Sequence, residues 1–145
     1  MQKSLKKTVL VGILSAMAFV LFLFPKFPIL AAFPWLDLDL SDVPALFASV
    51  TLSPLAGLLV ALIKNLLHLA VTSTAMIGEL SNFLINGTFV LAVGLLHRYL
   101  FKALDLVHSV AFSLLLGSVF QVIAAVLVNF FLMIPMYSAF VNFSE

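Results

Sequence analysis

The chain has 145 residues, of which 64% are hydrophobic and 9% charged, against roughly 45–50% and 25% in an ordinary soluble domain. That balance excludes a soluble globular fold, the formal net charge of +1 offers nothing to a nucleic acid, and the absence of cysteine removes both a disulfide framework and a thiolate metal site. The expected class is an all-α integral membrane protein in one transmembrane domain, 1–145, because the apolar runs 9–24, 43–71, 76–96 and 107–137 lack the alternation of a lipid-facing barrel strand.

In chain order, the first helix is expected at about 8–24. Lys3, Lys6 and Lys7 before an apolar run imitate a secretory signal, but Pro25-Lys26-Phe27-Pro28 follows where a small-residue cleavage site would be needed, so a retained span is expected. Gly12 and Ala16 make a small-xxx-small pattern on it, a modest hint of a close-packed partner. The loop 25–41 carries Phe27, Phe33 and Trp35, with Phe47 beyond it, either an interfacial aromatic belt or a stacking lid over a planar ligand. Asp37, Asp39 and Asp42 have no turn glycine between them, so solvated loop charge, with Asp42 as a helix cap, fits better than a hard-cation site.

The run 43–71 divides at Ser53-Pro54, a serine N-cap followed by proline at the first helical position, so helices are expected at about 42–52 and 54–72. The first covers only roughly 16 Å, about half the bilayer core. A fourth helix is expected at about 76–97 and a fifth at about 107–137, with Pro135 as a kink or exit. Lys3, Lys6 and Lys7 place the N-terminus in the cytoplasm, and the basic loop from His97 to Lys102 reaches the same side only if the short second helix counts as a crossing. Five crossings result, with the loop 25–41 outside.

Polar groups interrupt this apolar sequence where lipid disfavours them. Asn65, His68 and Thr72 share one face of the third helix, with Lys64 at its border. Glu79, Asn82 and Asn86 share a face of the fourth. The fifth adds Gln121 and Asn129, with small Ser113 and Gly117 nearer its start. These amides are either interhelical glue, with Lys64 snorkelling or paired with Glu79, or the lining of a pocket. For Glu79, Asn82, Asn65 and Asn129 together a pocket is the better reading, since glue rarely needs so many amides. No GxSxG, HExxH or GxxxxGK[ST] motif is present, and His68, His97 and His108 are too scattered for a metal site, so neither catalysis nor a metal is expected.

Three motifs, Asp39-Leu40-Ser41-Asp42-Val43-Pro44, Lys64-Asn65-Leu66-Leu67-His68 and Gly78-Glu79-Leu80-Ser81-Asn82-Phe83, occur in order within 38–92. Val128-Asn129-Phe130-Phe131-Leu132-Met133-Ile134-Pro135-Met136-Tyr137 follows. Together they resemble the riboflavin-specific S components of energy-coupling factor (ECF) transporters over most of the chain. The resemblance implies a prokaryotic cell-membrane protein of six helices that captures a vitamin from outside, beneath the loop joining its first two helices. It implies riboflavin as the transported substrate with no cofactor, and as partners a transmembrane coupling subunit and two ATPase subunits. Toppling in the membrane would release the substrate inward.

Carried over residue by residue, the family's glutamate and asparagine ligand contacts fall on Glu79 and Asn129, and its alanine-xxx-alanine coupling pattern on Gly12 and Ala16, with glycine replacing the first alanine. Asn82, Asn65, Asp39, Leu40 and Lys64 complete the candidate substrate-binding set. A flat apolar ring system with a hydroxylated chain suits apolar walls with a few amides and a carboxylate. The chain shows five of the six expected helices, and the expectation is a fragment. The competing readings are an S component for another vitamin or for flavin mononucleotide, and a structural or assembly membrane protein whose amides are glue.

Overall fold

The computed structural model describes residues 2–23, 27–28, 37–38, 40–71, 76–136 and 138. Its helices are α1 (Gln2–Leu23), α2 (Val43–Thr51), α3 (Pro54–His68), α4 (Ile77–Leu95) and α5 (Leu106–Val128), and a two-residue antiparallel ladder pairs β1 (Phe27–Pro28) with β2 (Asp37–Leu38). Among the described residues, three stretches are long and apolar enough to cross a membrane, Ser4–Leu23, Ile77–Leu100 and Leu106–Met136, while α3 is shorter.

The ends of the helices follow from local chemistry. Ser53 caps α3 by accepting from the Ala56 N–H at 3.2 Å, with Pro54 as the first helical residue. The chain therefore turns back after only nine residues of α2. Asp105 caps α5, its carboxylate accepting from the His108 N–H and lying 2.7 Å from the His108 ring.

Several boundaries differ from the sequence expectation. α1 begins at Gln2, not near 8, so Lys6 and Lys7 are helical, and the Lys7 ammonium donates to the Ser53 hydroxyl at 2.9 Å. α3 ends at His68, not 72. The stretch expected as a basic loop is instead a π-helical turn, Leu96–Leu100, closed by the Phe101 N–H on the Leu96 carbonyl, and the loop shrinks to 101–105. The fifth helix is not one α-helix to 137, because it widens into a π-helical turn at Asn129–Met133. There the Asn129 side-chain amide donates to the Ala125 carbonyl at 2.7 Å beside its own backbone N–H, and the Ile134 N–H closes the turn on the Asn129 carbonyl.

Small residues set the packing. Val11, Ser15, Ala18 and Phe22 form the buried stripe of α1, and Ala45, Ala48, Ala56, Val60, Ala61 and Val90 join Val11 and Ala18 in the core. Gly57 sits where α2, α3 and α4 meet: a Cβ there would lie 2.6 Å from the Ala45 carbonyl oxygen and 2.8 Å from Val90. α5 packs on α4 and the turn after it through a stripe of small buried residues, Ser109, Ser113 and Gly117.

Named contacts orient the helices. α1 starts beside Ser53 and ends with Phe22 on His68, so it runs parallel to α3. α2 starts beside Lys64 and runs back toward Ser53. α4 starts with Glu79 on His68, and α5 starts with Ser109 on His97. Successive helices thus alternate in direction, and the short α2 makes a full member of the alternation. One end of the bundle gathers Lys7, Arg98 and Lys102, and the other gathers Asp42, Lys64, His68 and Glu79.

Candidate functional site

The start of α2, the last two turns of α3 and the first turn of α4 bring a chain of polar groups together at the end away from Arg98. Lys64 is 0% exposed. Its ammonium donates to the Asp42 carboxylate at 2.6 Å and to the Ser41 hydroxyl at 2.9 Å, and lies 4.9 Å from the centre of the Phe22 ring. The sequence offered Glu79 as its partner. The structure corrects this: the start of α2 lies against α3 at the level of Lys64, while Glu79 meets His68 one turn further on, at 2.8 Å. Asp42 is accordingly not a side-chain cap, although it holds the N-cap position, because its carboxylate is turned to Lys64.

Glu79 is 5% exposed and lines a cavity of about 160 Å³ between α3 and α4. Asn65 lines it too, with apolar walls from Leu62, Leu66, Leu80 and Phe83. The Asn65 side chain donates its N–H to the Ala61 carbonyl at 2.8 Å, which leaves its buried Oδ1 without a hydrogen-bond partner among the described residues. Asn82 has a buried Oδ1 in the same condition. A buried amide oxygen without a donor costs about 1–3 kcal/mol; of the two, Asn65 lines the cavity and Asn82, on α4, does not.

The other candidate residues divide. Asn129 is exposed and does not line this cavity. Gln121 donates to the Asn86 side chain at 2.8 Å, an α5–α4 bond that makes both interhelical glue. Since α4 and α5 are antiparallel, that bond sets Asn129 roughly level with Glu79 along the bundle axis. Leu40 is exposed, with its carbonyl accepting from the Val43 N–H. Asp39, Thr72, Phe33 and Trp35 lie outside the described residues, and of Asp37 and Phe27 the backbone alone is described. No group of three or more metal-ligating side chains occurs among the described residues.

Gly12 and Ala16 lie together on the face of α1 turned away from the bundle. A Cβ at Gly12 would meet nothing within 4 Å, and Ala16 joins Ile13, Met17, Val20 and Leu21 in an open apolar groove.

Sequence reasoning missed Ser41, Phe22 and Met76. The ring of Phe22 lies against both Lys64 and His68, with its centre 4.1 Å from that of the His68 ring. Met76 borders the cavity with φ of 70°, a left-handed conformation rare outside glycine. The i,i+4 spacing of Lys64 and His68 was a usable signal for a shared partner, but nothing in it points to Phe22.

A family model described as "ECF transporter, substrate-specific component" matches residues 6–145. Riboflavin transporter RibU of Staphylococcus aureus (strain TCH60) is 35% identical over 140 residues, which cover 97% of this chain and 71% of that protein. Riboflavin transporter FmnP of Bacillus subtilis (strain 168) is 36% identical over 140 residues, 94% of this chain and 71% of that protein. The solved structure of the S component of a bacterial ECF transporter superposes with a TM-score of 0.78 at 36% identity, covering 95% of this chain and 78% of that one. With its matched length, its alternating apolar helices and its buried polar end, the chain belongs to the family of substrate-specific components of ECF transporters, multi-pass membrane proteins that bind substrate and are not enzymes.

Proposed function

We propose that this chain captures riboflavin at the Glu79 end of the bundle for uptake by an ECF transporter. The observation that carries the reading is the pairing of a buried carboxylate with a partnerless amide oxygen on one apolar-walled cavity. Glu79 accepts from ribityl hydroxyls, Asn65 and Asn82 accept from hydroxyl or ring N–H donors, and Leu66, Leu80 and Phe83 cover the ring faces. The 160 Å³ cavity is below the roughly 300–1,000 Å³ of sites for ligands of this size, so binding recruits further walls. Asn129, level with Glu79, is one such contact, and Asp39 and Leu40 stay candidate contacts on the strength of the family motif. Lys64 we assign to holding α2 on α3 through Asp42, and not to the ligand.

The positively charged end of the bundle faces the cytoplasm and the Glu79 end faces outward. The coupling subunit docks on the free face of α1, where Gly12 and Ala16 admit a close-packed helix, and two ATPase subunits drive uptake through it. The six-helix bundle implied by the family motifs stays part of this reading, with α1 to α5 as five of its members.

Quenching of riboflavin fluorescence on the detergent-purified chain tests the proposal. Saturable quenching is expected, weakened about ten- to a hundredfold by Glu79→Gln, as befits loss of a charged acceptor. Repeating the titration with a chain extended to the length of the relatives asks whether the five helices suffice. If a folded, extended chain does not quench riboflavin, the substrate is another molecule.

A further inference from the structure

The opposite end of the bundle holds a feature that substrate capture does not use. Between the end of α2, the π-helical turn after α4 and the start of α5 lies an open cleft of about 760 Å³, lined by Ser49, His97, Arg98, Lys102 and Ser109 among others. It has no acidic side chain in its lining. Neither Arg98 nor Lys102 is paired with a carboxylate among the described residues, and the neighbouring Asp105 is engaged by His108. The serines are occupied: Ser49 donates to the Val90 carbonyl, and Ser109 lies 2.8 Å from His97 Nδ1. Among the described residues the cleft therefore offers two exposed cations, Arg98 and Lys102, with no carboxylate partner.

Val50 and Thr51 line this cleft and also an apolar groove of about 470 Å³ that continues between α2, α4 and α5. Phe47 and Leu46 form one side of the groove, Val110 and Leu114 the other, and Val93 lies between them. Over its length of about 10 Å along the helices it carries virtually no polar surface. A basic head cavity running directly into an apolar groove, where the apolar spans Ile77–Leu100 and Leu106–Met136 end and begin, has the form of one amphipathic anion. An unlipidated anion would leave the groove unused, and a zwitterionic lipid would set its own cation against Arg98 and Lys102.

We propose that this cleft and groove form a binding site for an anionic phospholipid, with its phosphate on Arg98 and Lys102 and one acyl chain along Phe47 and Val110. The site does not depend on the riboflavin reading, since it lies at the other end of the bundle from Glu79.

Native mass spectrometry of the full chain tests it, with phosphatidylglycerol and phosphatidylcholine of identical acyl chains offered in equal amounts. Phosphatidylglycerol is expected to stay bound in preference, and Arg98→Gln with Lys102→Gln to lower its retention about tenfold. Lys6→Gln, which removes a charge at the same end but outside the cleft, is expected to change nothing. Val110→Trp, which fills the groove and keeps both cations, is expected to weaken retention too. Equal retention of the two lipids by the unmodified chain overturns the proposal, whatever the variants do. So does an equal loss with Lys6→Gln, unchanged retention with Val110→Trp, or competition by chain-free glycerol phosphate at the same concentration, which would make the site one for soluble phosphate.

Discussion

Lys64 is the residue on which the buried end depends. Its ammonium is out of contact with solvent and is compensated by Asp42, with the Ser41 hydroxyl and the Phe22 ring completing its surroundings. Removing one member of a buried ion pair leaves the other uncompensated, at a cost of about 3–5 kcal/mol. Lys64→Met is therefore expected to lower stability by about that amount in thermal unfolding of the detergent-solubilised chain. Lys64→Arg, which keeps the charge, should recover part of it. Should Lys64→Met leave stability unchanged, the Asp42 pair contributes nothing to the fold and Lys64 returns to the list of ligand contacts. Asn65 tests the adjoining claim: its orphan oxygen points to a role in binding, so Asn65→Ala is expected to weaken riboflavin by up to about tenfold with little change in stability. The reverse pattern would identify it as glue.

At the scale of single elements, the glycines separate faces that are packed from a face that is open. Gly57 is enclosed, so Gly57→Ala is expected to lower stability by about 1–3 kcal/mol through overpacking against Ala45 and Val90. Gly12 is open, so Gly12→Leu is expected to leave both the fold and riboflavin binding intact. Copurification with a coupling subunit should then fall sharply, because a leucine on that face holds a neighbouring helix away. If Gly12→Leu assembles as well as the unmodified chain, the docking face of the chain lies elsewhere. The Ser53-Pro54 break was legible in sequence because a cap and a proline act locally, through one side chain and one missing N–H. The π-helical turn at Asn129–Met133 was not, because a backbone bond that shifts from the fourth to the fifth preceding carbonyl leaves no mark on residue type or apolar periodicity.

For the whole molecule, the alternation of helices collects Lys7, Arg98 and Lys102 at one end. Single cysteines replacing Lys6 or Lys102 in this cysteine-free chain should resist impermeant maleimides added to intact cells and react after lysis. Labelling of both in intact cells would invert the proposed orientation. Protection of both would put the Arg98 end at the cytoplasmic leaflet and the Glu79 end at the outer face, where they would do different work.

By itself the sequence determined the membrane class, the helical character and the polar stripes on α3 and α4, since these follow from composition and from the periodicity of one helix at a time. Family motifs in order identified the transporter component. Only the tertiary structure decided which polar group meets which: Lys64 took Asp42 and not Glu79, Gln121 and Asn86 became a bond between helices, and Asn65 kept an unpartnered oxygen. The physical reason is that an intramembrane polar group must find a partner, but its choice depends on the rotation and level of the neighbouring helix. Those are set by the small-residue contacts at Gly57 and Gly117, and at Gly94, where a Cβ would run into Ser49 and Pro54, all joining residues far apart in the chain.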